Sequence, residues 1–378
     1  MPETITLGSA QSRRDLRLDV FRGLSLVMIF INHVPGTVFE NYTSRNFGFS
    51  DAAEGFVLMS GVAAGMAYER GLRAPPYWPG TARVWHRAWT LYLVHLMTVF
   101  WAMAIAAATA HWFGSTRLLF ANQLHVLFEN PLGFLIGTPL LTHQMGYVNI
   151  LPMYAVLLMA TPALLWVALR RPWLLMALSV VVWLLAGLFE LDLPNYPNPG
   201  GWFFNPLSWQ ILFVAGLLTG VAARQGRRFI PVRPGLQWAA GLFLLAALIN
   251  SKVPGVNDAF NETMFAAEMG GVPRFFTVVD KTYVAWPRLL HMLALAYLLS
   301  TLPVVRRMAG STAARPLALL GRQALPVFAF GTILCFVAQA VKDVAPPSAS
   351  LDTALILGGL SLQLALAFTK DRLSLKGR

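Results

Sequence analysis

Apolar residues fall along this chain in long runs parted by polar segments that carry proline and glycine. The runs cover approximately 18–36, 51–69, 86–110, 147–169, 173–190, 207–223, 235–250, 284–303, 317–340 and 351–369. A helix needs roughly 20 mainly apolar residues to cross a bilayer core, and most of these runs are near that length. The pattern predicts an all-α fold, a polytopic transmembrane bundle of about ten helices. It also predicts one membrane domain over 18–369, flanked by short polar segments at 1–17 and 370–378. The stretch 129–146 (ENPLGFLIGTPLLTHQMG) is apolar but broken by Pro and Gly. It reads as a re-entrant or interfacial piece rather than another span. No internal repeat, long polar linker or low-complexity tract is visible.

Composition supports lipid as the solvent. The chain of 378 residues is 56% hydrophobic and 12% charged, whereas soluble domains are about a quarter charged. The net charge of +12 does not point to nucleic acid, because the basic residues sit between apolar runs instead of forming one basic face. Their placement follows the positive-inside rule. With the N-terminus in the cytoplasm and an even number of spans, most of the 29 lysines and arginines fall on the inner side. They include Arg13, Arg14, Arg17, Arg70, Arg73, Arg83 and Arg87 early in the chain and Lys370, Arg372, Lys376 and Arg378 at its end. The outer segments hold only Arg45, Arg117, Lys252, Arg274, Lys281 and Lys342. Both termini are therefore expected inside. The polar first seventeen residues do not read as a cleavable signal peptide. The single cysteine, Cys335, lies in an apolar run and reads as a small buried residue. The outer loops (37–50, 111–146, 191–206, 251–283) are rich in aromatic residues, Asn and Pro. They read either as an interfacial aromatic belt or as a stacking surface for sugar rings.

Ionisable residues inside spans are costly and mark function by default. The first run, RLDVFRGLSLVMIFINHVPG, holds Asp19, Arg22 and His33. Arg22 and His33 are eleven residues apart, three helical turns plus about 20°, so they share a face about 16 Å apart along the axis. Asp19 is within side-chain reach of Arg22, and Pro35–Gly36 marks the helix end beside His33. An interfacial Asp19–Arg22 pair with a satisfied histidine at the helix end is the plain structural alternative. The second run begins SDAAEGFVLMSG, where Asp51 and Glu54 have capping-box spacing. Alternatively, one of these carboxylates orients or charges a histidine. In the third run, Arg83 and Arg87 are either snorkelling anchors or a grip for phosphate. Tyr92 and His95 lie deeper in it, where a polar group needs a partner. Arg288 and His291 lie three apart in the eighth run, and Gln210 is a polar intruder in the sixth. Together they suggest a polar core walled by several helices, as in an enzyme or a transporter. No GxSxG, HExxH or phosphate-binding loop is present, and no Cys or His pair has metal-ligand spacing. No metal and no permanently bound cofactor is expected.

The stretches RDLRLDVFRGLSLVMIFINHVPG, RNFGFSDAAEGFVLMSG, NPLSWQILFVAGLLTG and PRLLHMLALAY resemble the OpgC-type proteins. These are ten-span inner-membrane enzymes that succinylate osmoregulated periplasmic glucans. The resemblance runs along most of the chain, with RNFGFSDAAE its most specific part. More distantly, Arg22 and His33 match the Arg-x10-His pattern of acyltransferase-three membrane enzymes. DVFRG and the rest of the first helix are similar to lysosomal-type transmembrane N-acetyltransferases that use acetyl-CoA. In those groups the first-helix histidine is regarded as catalytic, which implies that role for His33 with Arg22. Arg83 and Arg87 resemble the arginines that begin the third helix of the acyltransferase-three group. Many OpgC-like chains carry an acidic residue before the histidine where this one has Asn32. Any acid–histidine coupling would then come from Asp51 or Glu54.

The resemblance implies an O-acyltransferase that takes an acyl group, succinyl or acetyl, from cytoplasmic acyl-CoA. It delivers that group to a hydroxyl of a periplasmic glucan or another extracytoplasmic polysaccharide. His33 would be the general base or an acyl carrier. Arg83, Arg87 and Arg22 would hold the nucleotide phosphates. Arg288, His291 or Asn32 would stabilise the oxyanion, and Arg288 or Arg45 would pair with a distal carboxylate. A transporter or flippase for a glucan precursor accommodates the same intramembrane polar residues, though transporters often show two related halves.

Overall fold

Each apolar run is helical in the computed structural model, which describes residues 15–376, with side chains to residue 373. Arg13, Arg14 and Arg378, assigned above to the inner side, lie outside the described residues, as does most of the 1–17 segment. The helices are α1 (Leu16–Asn32), α2 (Ala52–Tyr68), α3 (Trp78–Phe113), α4 (Arg117–Ala121), α5 (Val126–Glu129), α6 (Pro131–Gly137), α7 (Ile150–Arg170), α8 (Pro172–Leu188) and α9 (Pro206–Arg224). They continue as α10 (Pro234–Lys252), α11 (Val256–Met269), α12 (Arg274–Thr277), α13 (Trp286–Thr301), α14 (Pro303–Ala309), α15 (Arg315–Arg322), α16 (Ala324–Val344) and α17 (Ala349–Lys376). No strand occurs among the described residues.

Among the described residues six helices are long and apolar enough to cross a membrane: α3, α7, α9, α10, α16 and α17. Counting α13 and α14 as one span bent by 79° makes seven. The bend falls at Leu302–Pro303, where proline has no N–H to continue the ladder. Helices α2 and α8 are apolar but shorter. The run 317–340 is not one helix, because α15 ends at Arg322 and α16 starts at Ala324. The stretch 129–146 holds only the short α6 and turns, as its Pro and Gly content predicts.

Local chemistry sets the helix starts. Asp15 accepts the Arg17 N–H at 3.0 Å at the head of α1, and Asn205 accepts the Leu207 N–H at 2.9 Å at the head of α9. Proline occupies the first turn of α8, α10, α13 and α14, where its missing donor costs nothing. Helix α9 is the centre of the bundle, with 72% of its apolar window buried, against 17% for α10 and 22% for α17. The last two are therefore lipid-facing walls.

Helices α2 and α9 run in the same direction in backbone contact. A Cβ on Gly61 would strike the Phe213 carbonyl, and one on Gly65 the Leu217 carbonyl. From the other side, Gly216 and Gly220 face the carbonyls of Leu58 and Val62. Two small-xxx-small pairs thus interlock, the arrangement that lets membrane helices approach closely where no hydrophobic drive acts between them. Helix α1 meets α15 similarly and in the antiparallel sense, Gly23 against Leu317 and Gly321 against Asp19.

Gly61→Val or Gly216→Val should force α2 and α9 apart and cost about 1–3 kcal/mol or more by overpacking. Gly241→Ala, which meets nothing within 4 Å, should be neutral. Melting temperature and monodispersity in detergent will separate them. Equal behaviour of Gly61→Val and Gly241→Ala would refute the packing assignment.

Candidate active site

Polar clusters lie at both ends of α1. At its first turns Arg22 is 3.9 Å from the Asp19 carboxylate, and its Nη1 donates to the Gly321 carbonyl at 3.3 Å. The Gly23–Gly321 contact brings that carbonyl within reach. Arg22 and Arg87 both act electrostatically on the Tyr154 hydroxyl of α7. Arg83 and Arg87 do the same at Tyr68, the last residue of α2. Arg83 is exposed and Arg87 partly buried. The arginines of two separate runs therefore converge on one pair of tyrosines, as a site for a polyanion requires.

At the other end α1 stops at Asn32, and His33 caps it. The partly buried His33 imidazole faces the bundle interior. Its ring centroid is 4.6 Å from that of Tyr147, tilted by 57°, and Gln339 Nε2 donates to its carbonyl at 2.6 Å. Tyr147 has a φ of 65°, left-handed backbone that a bulky residue adopts only under constraint. Below the ring, Leu26, Phe30, Thr332, Cys335 and Gln363 line a cavity of about 10 Å³, room for roughly one water. Lys281 and Asp51 both lie within electrostatic reach of His33.

Those two residues belong to a four-charge cluster. The capping box of α2 is formed: Asp51 accepts the Ala53 N–H at 2.8 Å, and Glu54 accepts the Asp51 N–H at 3.0 Å. The same carboxylates also take cations. Lys281 Nζ is 2.5 Å from Asp51. Arg288 Nη2 is 2.5 Å from Glu54 and 3.5 Å from Asp51. The Glu54 side chain is fully buried. One turn along α13, His291 Nδ1 bonds the Ser50 hydroxyl at 2.7 Å. Its imidazole covers Gly48, where any Cβ would overlap the ring and where φ is 151°. The motifs RNFGFSDAAE and PRLLH are thus two halves of one interlock.

The segment carrying Lys281 is held rigidly. Trp209 of α9 donates to the Lys281 carbonyl at 3.1 Å, and Trp183 of α8 to the carbonyls of Tyr283 and Val284. Val284 sits at φ 48°, a genuine outlier for a β-branched residue. Burial, with help from Asp192, Glu190 and Asp280, pushes the Tyr283 phenol up to about 12, so it stays a donor to the Glu190 carbonyl at 3.2 Å.

The fold therefore gathers Arg22, Arg83 and Arg87 at one end and His33, Asp51, Glu54, Arg288 and His291 at the other. Asn32 accepts from Thr43 at 2.8 Å in the turn beside His33. Tyr92 and His95 stand apart from both clusters. The Tyr92 hydroxyl donates to the Pro139 carbonyl at 3.0 Å, and buried His95 lies against the Val148 backbone near His143. Gln210 joins no polar core but exchanges two hydrogen bonds with Ser179, bracing α8 on α9. Arg45 pairs with Glu40 at 3.3 Å. Sequence reasoning missed Lys281, Tyr147, Ser50 and Gln339. Of these, only Lys281 carried a signal, as one of the few cations on the expected outer side.

Removing one partner of a buried pair strands a charge, so Arg288→Met should destabilise by about 3–5 kcal/mol. The double variant Glu54→Gln/Arg288→Met should recover much of that loss. Thermal unfolding in detergent will read it, and strictly additive losses would contradict a direct Glu54–Arg288 coupling.

The comparison with curated proteins and the comparison with solved structures each return no match. A family model for the OpgC protein matches residues 14–374 and so spans both clusters. The chain belongs to the OpgC family of acyltransferase-like membrane proteins.

Proposed function

We propose that this chain is an acyl-CoA-dependent O-acyltransferase of the bacterial inner membrane. In this reading it moves an acyl group, succinyl first among the candidates, from cytoplasmic acyl-CoA to hydroxyls of a periplasmic glucan. The observation that carries the reading is His33, packed on Tyr147 with Asp51 and Lys281 in electrostatic reach, at the end of a helix whose other end carries the arginine cluster. The reading takes ten passes with both chain ends cytoplasmic. Helices α1, α2 and α8 have 17 residues each, about 25 Å of rise and the lower limit for a span. Consistent with an even number of passes, α1 begins and α17 ends at the same end of the bundle. There Gly321 touches Asp19, and its neighbour Arg322 pairs with Asp371 at 3.5 Å.

In the proposed reaction Arg22, Arg83 and Arg87 grip the nucleotide phosphates, and the pantetheine arm runs along α1 toward His33. The imidazole takes the proton of a sugar hydroxyl as its oxygen attacks the thioester carbon. The C–S bond then breaks, and the imidazolium returns the proton to the thiolate, leaving ester and free CoA. Donors from Lys281 or Arg288 would stabilise the intermediate oxyanion. The alternative, an acyl-histidine at His33 released by the glucan, uses the same groups.

His33→Ala should lower CoA release from membranes supplied with succinyl-CoA and a β-glucan by about 10²–10⁴. Near-normal release would rule out both schemes. Arg87→Ala removes a charge-assisted contact of about 1.5–3 kcal/mol. It should therefore raise KM for acyl-CoA about tenfold or more while sparing KM for the glucan. An unchanged acyl-CoA KM would remove Arg87 from the donor site.

A further inference from the structure

At the His33 end of the bundle, α10, α11 and the turn holding Phe49 enclose a cleft of 460 Å³. This lies within the roughly 300–1,000 Å³ of small-molecule sites. It is separate from the acyl-transfer machinery, because none of its lining residues belongs to the four-charge cluster or touches His33. Its walls are hydrocarbon: Phe49, Phe243, Phe260, Met264 and Trp286. The Thr263 hydroxyl on its rim is already committed to the Ala259 carbonyl at 2.7 Å. Asn250 is the exception. It is only 8% exposed and lines the cleft, and its amide has no hydrogen-bond partner among the described residues.

This chemistry sorts the occupants. A sugar ring would bring several hydroxyls into an apolar space with one amide to serve them, and each unpaired group costs about 1–3 kcal/mol. A hydrocarbon chain bearing a single carbonyl fits instead, with the chain against the aromatic walls and the carbonyl accepting from Asn250. The surroundings identify the source. Helix α10 is a peripheral wall that exposes Leu242, Leu245 and Ile249, so one wall of the cleft is a helix whose outward face is apolar. Helix α11 is amphipathic, with Val256, Phe260 and Met264 on the cleft and Asn257, Asp258, Asn261 and Glu262 elsewhere on its surface, as befits a helix lying in a membrane interface. Its acidic residues favour a headgroup with no net charge.

We infer that this cleft binds one acyl chain of a zwitterionic phospholipid, with an ester carbonyl on Asn250. The chain packs against Phe49, whose ring stands edge-on to His291 at 6.3 Å. Its occupancy therefore steadies the turn that leads into Ser50 and Asp51.

The test uses the full chain in detergent with phosphatidylethanolamine carrying a diazirine near the end of one acyl chain. After photolysis, mass spectrometry should place adducts on cleft residues of α10 and α11. Ala259→Trp and Ala246→Trp fill the cleft from exposed positions and should each lower that labelling at least fivefold. Labelling of the outward face at Leu242 and Leu245 should persist. Asn250→Leu should weaken retention without blocking it, and unlabelled phosphatidylethanolamine should raise the melting temperature of the wild type but not of Ala259→Trp. Adducts confined to the outward face, or undiminished in both filled variants, would overturn the site. So would displacement of the probe by a soluble β-glucan.

Discussion

A glutamate with no solvent contact meets an arginine across the start of two helices, and the geometry of one end of the bundle follows from that pair. In a low-dielectric interior a lone carboxylate at Glu54 is untenable, so α2 and α13 must stay docked for Arg288 to reach it. Each helix brings further groups into register. From α2 come the capping residue Asp51, which takes Lys281, and Ser50, which takes His291. The segment that supplies them connects α1 to α2 and is tied back to the end of α1 by the Thr43–Asn32 hydrogen bond. The interlocked glycines of α2 and α9 extend the constraint to the centre of the bundle. Trp209 on α9 returns it to the Lys281 backbone.

The opposite end works with less enforcement. Arg83 is exposed and Arg87 only partly buried, with Tyr68 in electrostatic reach of both and Tyr154 in reach of Arg87. Unbalanced cations near the surface are free to meet a polyanion, whereas the cations beside His33 are already matched one for one. On the proposed reading this division suits a donor that arrives by its phosphates and reacts at its far end. The cavity beside His33 holds about one water. A thioester reaching the imidazole must therefore displace the side chains of α1 and α16 that close on it.

Much of this was legible in the sequence. Hydrophobic runs of bilayer length located the helices, because in lipid a backbone must satisfy itself. The spacing of Arg22 and His33 predicts a shared face, and Pro35–Gly36 lies just past the end of α1 at Asn32. The capping-box reading of Asp51 and Glu54 and the ionic reading turned out to be compatible, since a carboxylate has lone pairs for both an N–H and a cation. What could not be read was partnership across the bundle. Lys281 lies some 230 positions from Asp51, and no periodicity links them. Tyr147 meets His33 through a backbone conformation that propensity disfavours. Gln210 was misread because a polar residue in a span signals the need for a partner without naming it, and Ser179 one helix away was enough. The break between α15 and α16 falls in GRQALP, where Arg322, Gln323 and Pro326 interrupt the apolar run and signal a helix end.

The balance of the four-charge cluster constrains the chemistry it can serve. Two carboxylates face two cations, so the cluster is neutral as a unit and its burial is tolerable. On the proposed reading, a neutral acyl group delivered to His33 would leave that balance untouched. A succinyl tail adds a third carboxylate, which must find a cation not already engaged. Arg45 is occupied by Glu40, and Arg288 is held between Glu54 and Asp51. Lys281 is the one that can yield: its side chain is 25% exposed, against 12% for Arg288. Asp51 would keep Arg288 at 3.5 Å if Lys281 turned away. A dicarboxylic donor would thus be recognised by exchange, with Lys281 passing from Asp51 to the incoming carboxylate. Because Lys281 is in electrostatic reach of His33, such an exchange would change recognition of the acyl tail and the electrostatics of the imidazole together.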